Sequence, residues 1–346
     1  MSSPAKSSPR LFRRKMVVAL IISIALRNGF CLRAEEAKPP LIKGVTVSCQ
    51  TWGGEWATPE MALTLDELKS LGVNSFAIHP YARIENDGRV RFRVVDENRH
   101  ITVPLDWARD RGMSVMLIPH IAYWGSKFSW RGEINFESAA EWDRFFSDYE
   151  SWIVQMAQIA EAHGVATFCV GLEFTYAQNY EARWRKIIAA VRKVYHGKVT
   201  YGGNWDSFEE VKFWDALDYI GVLAYFPLTK TPNPSAMEIK AAWDKRCAEL
   251  SNFSKAHGNK KLLFVEIGYN ESARAAAEPW AFKTGGENAV EIQHRCIEVA
   301  LDLPAHCPAI AGMYWWKWFP EVPSEEEENY RLQTPAIKAL IAKHWR

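Results

Sequence analysis

The sequence predicts an α/β fold, a single (β/α)8 barrel of the TIM type, over residues 40–346. Short apolar runs alternate with amphipathic helical stretches, and eight such runs can be counted. No linker or low-complexity stretch interrupts this pattern. The chain length of 346 residues also fits one large domain, because (β/α)8 barrels of about 250 residues or more commonly form one unit.

The eight predicted strands are short apolar runs rich in β-branched, aromatic and small residues. In chain order they are Gly44–Cys49, Val73–His79, Ser114–His120, Ala166–Phe174, Lys198–Asn204, Asp218–Tyr225, Lys261–Tyr269 and Ile310–Trp316.

Helical stretches lie between these runs. Pro59–Leu71 places Leu65, Leu68 and Leu71 on one face and is followed by Gly72, a helix stop signal. The other predicted helices are Ala139–His163, Asn179–Tyr195, Ser235–Ala256 and Ala289–Leu301. Because active sites of (β/α)8 barrels gather at the C-terminal ends of the strands, polar residues at those ends are the functional candidates.

Residues 1–34 predict a signal peptide, so we expect the protein to be secreted or periplasmic. Basic residues between Arg10 and Lys15 precede the apolar run Met16–Leu26, which is short for a membrane span. Cleavage is expected after Ala34. A retained N-terminal anchor is the alternative, and it is the one way in which we expect the chain to contact a membrane.

Charge argues against a nucleic-acid partner. Residues 1–34 carry seven Lys and Arg and no acidic residue, which leaves 35 basic and 41 acidic residues, a net charge of −6, for the remainder. Nucleic-acid binding calls for a basic patch. No obligate protein partner and no cofactor is predicted. A disulfide among Cys247, Cys296 and Cys307 is left open, since the spacing does not decide it.

Two glutamates at strand ends carry the functional prediction. Glu173 lies at the end of the fourth run and Glu266 in the seventh. Burying a carboxylate costs free energy unless the group is paired with a partner or has a function. Two carboxylates at the strand ends of a barrel are typical of a retaining glycosidase, in which one is the acid/base and the other the nucleophile. The alternative is that both are structural, each held by an arginine or a backbone amide.

Side-chain alternation predicts that both glutamates point into the barrel mouth. Glu173 then shares its face with Gly171 and Cys169, while Leu172 points outward. Glu266 shares its face with Phe264. A slip of one residue in either strand would remove this support.

Further strand-end residues are candidates for holding a sugar. Tyr225 is a candidate donor to Glu266, and His79, His120 and Asn204 are candidate partners of sugar hydroxyls. The chain has 16 Trp, and indole offers a flat apolar face and a polar edge to a pyranose. We expect Trp316 to form the floor at the cleavage point and Trp205 to line the cleft.

A metal site is an alternative to these roles. His79, His120, Glu173 and Asp206 could surround a cation. The sequence lacks a His-x-His after the first strand and any tightly spaced ligands, so no metal is predicted.

Six segments together resemble glycoside hydrolase family 113, the β-mannanases of the clan A (β/α)8 barrels. The resemblance covers about residues 42–320 and is carried by Val170–Glu173, Trp184–Arg192, Val199–Asp206, Phe213–Gly221, Ala224–Pro227 and Phe264–Tyr269.

This resemblance implies endo-hydrolysis of β-1,4-mannan with retention, with Glu173 as acid/base and Glu266 as nucleophile. Clan A enzymes usually place Asn immediately before the acid/base to bind the sugar 2-hydroxyl. Here that position is Leu172, and Asn204 is our hypothesis for the missing contact. A β-glycosidase of another linkage, such as a β-glucanase or a β-mannosidase, and an inactive carbohydrate-binding pseudoenzyme are the alternatives.

Overall fold

A computed structural model describes Met1 and residues 40–93, 96–282, 284–321 and 330–346. The predicted signal peptide and the acidic run Glu325–Glu328 lie outside the described residues. Residues 41–346 form one compact unit. Among the described residues, no helix has both the length and the apolar content to cross a membrane.

Eight parallel strands close into a barrel, as predicted. Each pairs with its neighbours in the barrel, and the first pairs with both the second and the eighth. In chain order the strands are β1 (Ile42–Val47), β2 (Ser75–Ile78), β3 (Ser114–Leu117), β4 (Thr167–Leu172), β5 (Lys198–Asn204), β6 (Ile220–Leu223), β7 (Leu262–Ile267) and β8 (Ile310–Trp318).

Helices surround the barrel and include all five that the sequence predicts. They are α1 (Pro59–Ser70), α2 (Arg99–Asp110), α3 (Ala139–Ala162), α4 (Glu181–Arg192), α5 (Ala236–Ala256), α6 (Ala289–Leu301), α7 (Leu303–His306) and α8 (Pro335–Trp345). Two short 3-10 helices, Phe208–Glu210 and Trp214–Ala216, take the place of a helix between β5 and β6. Other 3-10 helices are Gly54–Ala57, Asp96–Asn98, Arg131–Glu133 and Ala177–Asn179.

Local sequence explains where the two longest helices begin. The side chains of Ser138 before α3 and Ser235 before α5 each accept a hydrogen bond from the backbone amide of the third helical residue, a glutamate. The carboxylate of that glutamate accepts a hydrogen bond from the backbone amide of the serine. Such capping boxes satisfy amides that the helix cannot pair internally. The starts of both helices are therefore encoded locally.

A small second sheet extends the chain beyond β2 and β3. Tyr81–Ile84 pairs with Val90–Arg91 on one side and with His120–Ala122 on the other. The sequence predicts one strand over Ser114–His120, but Ile118 and Pro119 separate β3 from the strand that begins at His120. This break matters for the site because His120 belongs to the small sheet and not to the barrel wall.

Apolar side chains fill the barrel interior in a layer separate from the helix-facing core. The interior cluster includes Leu172, Leu223, Val265 and Tyr314. Gly202 faces this layer, since an added Cβ would lie 2.8 Å from Cβ of Leu172. The five described cysteines are free thiols, and Cys307 Sγ lies 3.8 Å from the carbonyl oxygen of Cys247.

Candidate active site

The side-chain alternation predicted for the two strands that lead to Glu173 and Glu266 is wrong in detail. In β4 a register shift lies between Cys169 and Leu172, so Leu172 joins the interior cluster. Gly171 points outward instead, where an added Cβ would meet the ring of Trp184 at 2.7 Å. An irregularity of this kind puts consecutive side chains on one face of a sheet.

Strand β7 contains a second register shift, between Phe264 and Glu266. Phe264 faces the helices and Val265 faces the interior, the reverse of the prediction. Glu266 nevertheless reaches the mouth of the barrel, where it contacts Tyr225 and His120. Both glutamates therefore arrive at the mouth through strand irregularities that a strict period of two does not describe.

Glu266 is the deeper of the two carboxylates. The residue is 5% exposed, and Tyr225 donates its hydroxyl hydrogen to Oε2 over 3.0 Å. This is the contact expected from the sequence. On the other side, Nε2 of His120 lies 3.6 Å from Oε1. Both oxygens of Glu266 thus face groups able to donate a hydrogen bond.

Glu173 lies directly after β4 in an unusual backbone conformation. Its φ angle is +60°, in the left-handed region that costs an ordinary residue about 1–2 kcal/mol. The surroundings hold this geometry, since its amide donates to the carbonyl of Gly202 over 2.9 Å and its carbonyl accepts from the amide of Thr175 over 3.0 Å. Backbone strain of this kind concentrates at functional positions.

Arg131 forms an ion pair with Glu173 and is the main site residue that the sequence reasoning missed. Its Nη1 donates to Oε2 of Glu173, its Nη2 lies 2.9 Å from Nδ1 of His120, and its Nε donates to the carbonyl of Ile121 over 2.9 Å. The available signal was weak, an arginine in the Trp-rich segment after the third strand, because sequence does not reveal where a loop side chain points.

Two histidines and Trp316 form a stacked wall beside the carboxylates. The rings of His79 and His120 stack at 4.7 Å and 19°, and Trp316 stacks on His120 at 6.0 Å and 20°. Neither ring nitrogen of the fully buried His79 has a hydrogen-bond partner among the described residues. Buried polar atoms are normally satisfied, so the two nitrogens of His79 lack the partner that a buried imidazole usually has.

Burial and mutual charge shift the titration of these groups. Burial raises the pKa of Glu266 to about 8, and the charge of Glu173 adds to the rise against the opposing effects of Arg131, Tyr225 and Lys317. Burial, with the charges of Arg131 and Lys317, lowers the pKa of His79 to about 3. Burial, Arg131 and His79 also hold the pKa of His120 well below its ordinary value. Both histidines are therefore neutral at pH 7, and burial favours the protonated form of Glu266 in the ligand-free site.

Asn204 and Trp205 end β5 at the same rim, without a direct contact to either carboxylate. Asn204 donates its side-chain amide to Oγ1 of Thr175 over 3.2 Å, two residues beyond Glu173. Trp205 stacks on Trp280 at 5.0 Å and 19°, and Trp280 is 42% exposed. The structure thus places Trp280, from the segment after β7, against the ring of Trp205.

A second group of aromatic rings adjoins the stacked rings of His79, His120 and Trp316. Tyr81 contacts His79 at 5.2 Å, Trp124 at 5.2 Å and Trp52 at 5.8 Å. Trp52 and Trp124 are about half exposed. Flat, accessible rings around the mouth of a barrel suit an extended ligand with apolar faces.

The described residues contain no group of three or more His, Cys, Asp or Glu side chains placed to hold a metal ion. The mouth of the barrel brings together two interacting carboxylates, the Tyr225 hydroxyl, the Arg131 guanidinium and stacked rings. At the C-terminal ends of strands β4 and β7 of a (β/α)8 barrel, this arrangement defines a glycoside hydrolase.

The chain belongs to Glycoside Hydrolase Family 113, whose sequence profile matches residues 45–333. The family 113 β-mannanase AaManA from Alicyclobacillus acidocaldarius, solved in complex with ManMIm, is similar at 27% identity and a TM-score of 0.77, covering 89% of this chain and 98% of that chain. A complex of a family 113 β-1,4-mannanase is similar at 25% identity and a TM-score of 0.77, covering 89% and 99%.

More distant structures share the fold alone. A family 5 mannosidase from Rhizomucor miehei aligns at 12% identity and a TM-score of 0.59, covering 89% of this chain and 93% of that chain. Comparison with curated protein sequences finds no significant match.

Proposed function

We propose that the protein is a retaining endo-β-1,4-mannanase acting on mannan-type polysaccharide. The observation that carries the proposal is the coupled carboxylate pair, Glu173 and Glu266, at the mouth of a family 113 barrel. The structural neighbours named as β-mannanases support the substrate class.

Glu266 is the proposed nucleophile and Glu173 the proposed acid/base. Glu173 protonates the leaving oxygen while Glu266 attacks the anomeric carbon and forms a glycosyl-enzyme. Glu173 then removes a proton from the attacking water. The greater burial of Glu266 and the hydrogen bond from Tyr225 support a fixed nucleophile, and the larger exposure of the Glu173 side chain, 20%, supports a group that meets water.

The ligand-free protonation pattern places a requirement on substrate binding. The raised pKa of Glu266 leaves the proton on the proposed nucleophile, while Arg131 pairs with the proposed acid. Catalysis needs the opposite arrangement. Substrate binding is therefore proposed to weaken the Arg131–Glu173 ion pair, so that Glu173 can act as the proton donor and Glu266 as the ionised nucleophile.

Binding of the glycan is assigned to the rings and polar groups around the pair. Trp316 forms the floor next to His120, and the unpartnered nitrogens of His79 are proposed to meet a sugar hydroxyl. Asn204 is proposed to contact the 2-hydroxyl, since Leu172 occupies the interior of the barrel. Trp205 is proposed to line the cleft with Trp280.

The test measures release of reducing ends by the purified chain from residue 35 onward. Substrates are linear β-1,4-mannan, glucomannan, β-glucan and xylan, with Glu173→Gln and Glu266→Gln as variants. We expect the wild type to cleave mannan and both variants to lose this activity. NMR of the anomeric configuration of the first products should show retention. Exposed Glu209→Gln is the control and should cleave at the wild-type rate.

Other outcomes overturn separate parts of the proposal. Cleavage of β-glucan or xylan but not mannan would keep the two-carboxylate mechanism and replace the substrate. A folded protein that binds mannan without cleaving any glycan would be a pseudoenzyme. Export is proposed from residues 1–34 and is tested separately, by the N-terminal sequence of the protein recovered outside the cytoplasm.

A further inference from the structure

Arg131 connects the two carboxylates through His120. One guanidinium nitrogen reaches Glu173, and another lies 2.9 Å from Nδ1 of His120. The opposite ring nitrogen, Nε2, lies 3.6 Å from Oε1 of Glu266. A single arginine side chain, anchored by the carbonyl of Ile121, thus touches the proposed acid/base and, through one imidazole, faces the proposed nucleophile.

The chemistry of the guanidinium decides the tautomer of that imidazole. Arginine has N–H donors and no acceptor, so Nδ1 of His120 can approach Nη2 to 2.9 Å only as the acceptor. The ring is neutral, because burial, Arg131 and His79 all oppose a second proton. A neutral imidazole that accepts at Nδ1 carries its hydrogen on Nε2, the nitrogen that faces Glu266.

The length of the contact fits the protonation of the ligand-free site. At 3.6 Å the Nε2–Oε1 contact is longer than a hydrogen bond. While Glu266 carries a proton, the carboxyl group has less need of a second donor. Once Glu266 ionises, each of its oxygens faces one hydrogen-bond donor, Tyr225 at Oε2 and His120 at Oε1. Catalytic contacts that are long without substrate commonly shorten in the reacting complex.

We propose that Arg131 is a positioning residue that fixes His120 as its Nε2–H tautomer and thereby aims a hydrogen-bond donor at the nucleophile Glu266. This inference rests on the proposed function in assigning Glu266 as the nucleophile. Its structural content, the tautomer and its dependence on Arg131, holds independently of turnover. A purely structural arginine would stabilise the fold without setting the tautomer of His120.

The experiment is long-range 1H–15N NMR of full-length protein labelled with 15N-histidine, which distinguishes the two neutral tautomers and the imidazolium. The His120 signal is assigned by its loss in His120→Gln. Groups facing His120 are Arg131, Glu266, His79, Tyr81 and Trp316. In the wild type we expect a neutral Nε2–H ring that does not titrate between pH 5 and pH 8.

Three variants separate positioning from a role in folding. Arg131→Met keeps length and removes every donor, so His120 should populate Nδ1–H and kcat should fall about 10²-fold, the usual effect of a misplaced catalytic group. Arg192→Met is the matched control. Arg192 pairs with Asp218 next to the N-terminal end of β5, and its loss should leave the tautomer unchanged. Glu173→Gln should abolish turnover and keep Nε2–H.

The outcomes divide clearly between the two proposals. A wild-type His120 in the Nδ1–H form, or an unchanged Nε2–H signal in folded Arg131→Met, would overturn the inference. If Arg131→Met does not fold, the wild-type and Glu173→Gln spectra still decide the tautomer. A wild type that shows Nε2–H but cleaves no mannan would overturn the proposed function and not the assignment of the tautomer.

Discussion

The hydroxyl of Tyr225 lies 3.0 Å from Oε2 of Glu266 and joins the ends of the neighbouring strands β6 and β7. The tyrosine is almost fully buried, and the charge of Glu266 adds to burial in raising the pKa of its hydroxyl well above the ordinary value. Tyr225 therefore remains a donor at every working pH. Its hydrogen bond strengthens when Glu266 becomes negatively charged.

Replacing Tyr225 with Phe should slow catalysis much more than it destabilises the protein. A hydrogen bond to a charged group contributes about 1.5–3 kcal/mol, so we expect kcat on mannan to fall about 10- to 100-fold. Tyr195→Phe is the control, since the Tyr195 hydroxyl donates to the backbone of Val165 over 2.8 Å, away from the carboxylates. The control should lose about 1 kcal/mol of stability and keep its kcat. Equal kcat losses in the two variants would contradict the assignment.

The left-handed backbone at Glu173 predicts an unusual order of stability among its variants. Glu173→Ala and Glu173→Gly both remove the partner of Arg131, so that loss is common to the two. Alanine at positive φ keeps a backbone strain of about 1–2 kcal/mol, which glycine does not have. Glycine in turn lowers the free energy of unfolding by about 0.4–1 kcal/mol, because it gives the unfolded chain more conformational freedom.

Glu173→Gly should therefore be more stable than Glu173→Ala by about 0.5–1 kcal/mol, measured by urea unfolding. Both should be less stable than the wild type, because a buried guanidinium is left without its carboxylate. An alanine variant equal to or more stable than the glycine variant would mean that residue 173 is free to leave the left-handed region.

The raised pKa of Glu266 predicts how stability changes with pH. Between about pH 4.5 and about pH 8 the folded protein holds a proton on Glu266 that the unfolded chain has released, so the free energy of unfolding falls as pH rises through that window. His79 and His120 act in the opposite sense below the ordinary histidine pKa of 6.5, because their pKa values are lowered on folding. Cys307, whose pKa is lowered to about 7 chiefly by its contact with Cys247, also changes protonation between pH 6.5 and pH 8, so the effect of Glu266 is isolated by comparing the wild type with Glu266→Gln.

Over that range, Glu266→Gln should gain stability relative to the wild type as the pH is raised, since glutamine has no proton to release. Urea unfolding at intervals between pH 6.5 and pH 8 measures the difference, with Glu209→Gln as the exposed control. A constant difference between wild type and Glu266→Gln across these pH values would show that Glu266 does not bind the extra proton in the folded state.

The sequence predicts the barrel well because the pattern of an apolar run followed by a helical stretch is repeated along the chain. Eight apolar runs and the intervening helical periods constrain one another, and all five predicted helices are present. Glu173, Glu266 and Tyr225 were identifiable because each belongs to or follows a recognisable strand. Position along a parallel strand is enough to place a residue at the mouth of the barrel.

Features that depend on contacts between distant segments were not predictable. Arg131 reaches Glu173 across 42 positions of sequence, from a loop whose path the local residues do not specify. The register shifts in β4 and β7 reversed the side-chain alternation around Leu172 and Phe264, because such irregularities arise from packing inside the closed barrel. The small sheet containing His120 likewise depends on pairing with Tyr81.

Gly202 predicts a tight limit on the size of residues inside the barrel. An added Cβ would lie 2.8 Å from Cβ of Leu172 and 3.1 Å from Cγ2 of Val265, and both neighbours belong to the rigid interior layer. Overpacking a core typically costs about 1–3 kcal/mol, so Gly202→Ala should lose stability in that range by urea unfolding. Gly54→Ala is the control, since the nearest neighbour of a Cβ added there, Oγ1 of Thr51, lies 3.6 Å away. Similar stabilities of the two variants would contradict close packing at Gly202.

The stacked pair of Trp205 and Trp280 predicts a difference between long and short substrates. Trp280 is 42% exposed and lies on Trp205 at 5.0 Å, so its ring presents a face to a glycan chain without touching the carboxylates. Trp280→Ala should raise KM for mannan about 5- to 10-fold, the equivalent of about 1 kcal/mol for one aromatic contact, and should leave kcat on a short mannooligosaccharide unchanged. Met237→Ala, which removes an exposed apolar side chain from α5, controls for a general loss of surface contacts. If Trp280→Ala lowers kcat equally on both substrates, the ring acts on the catalytic groups and not on the distal part of the chain.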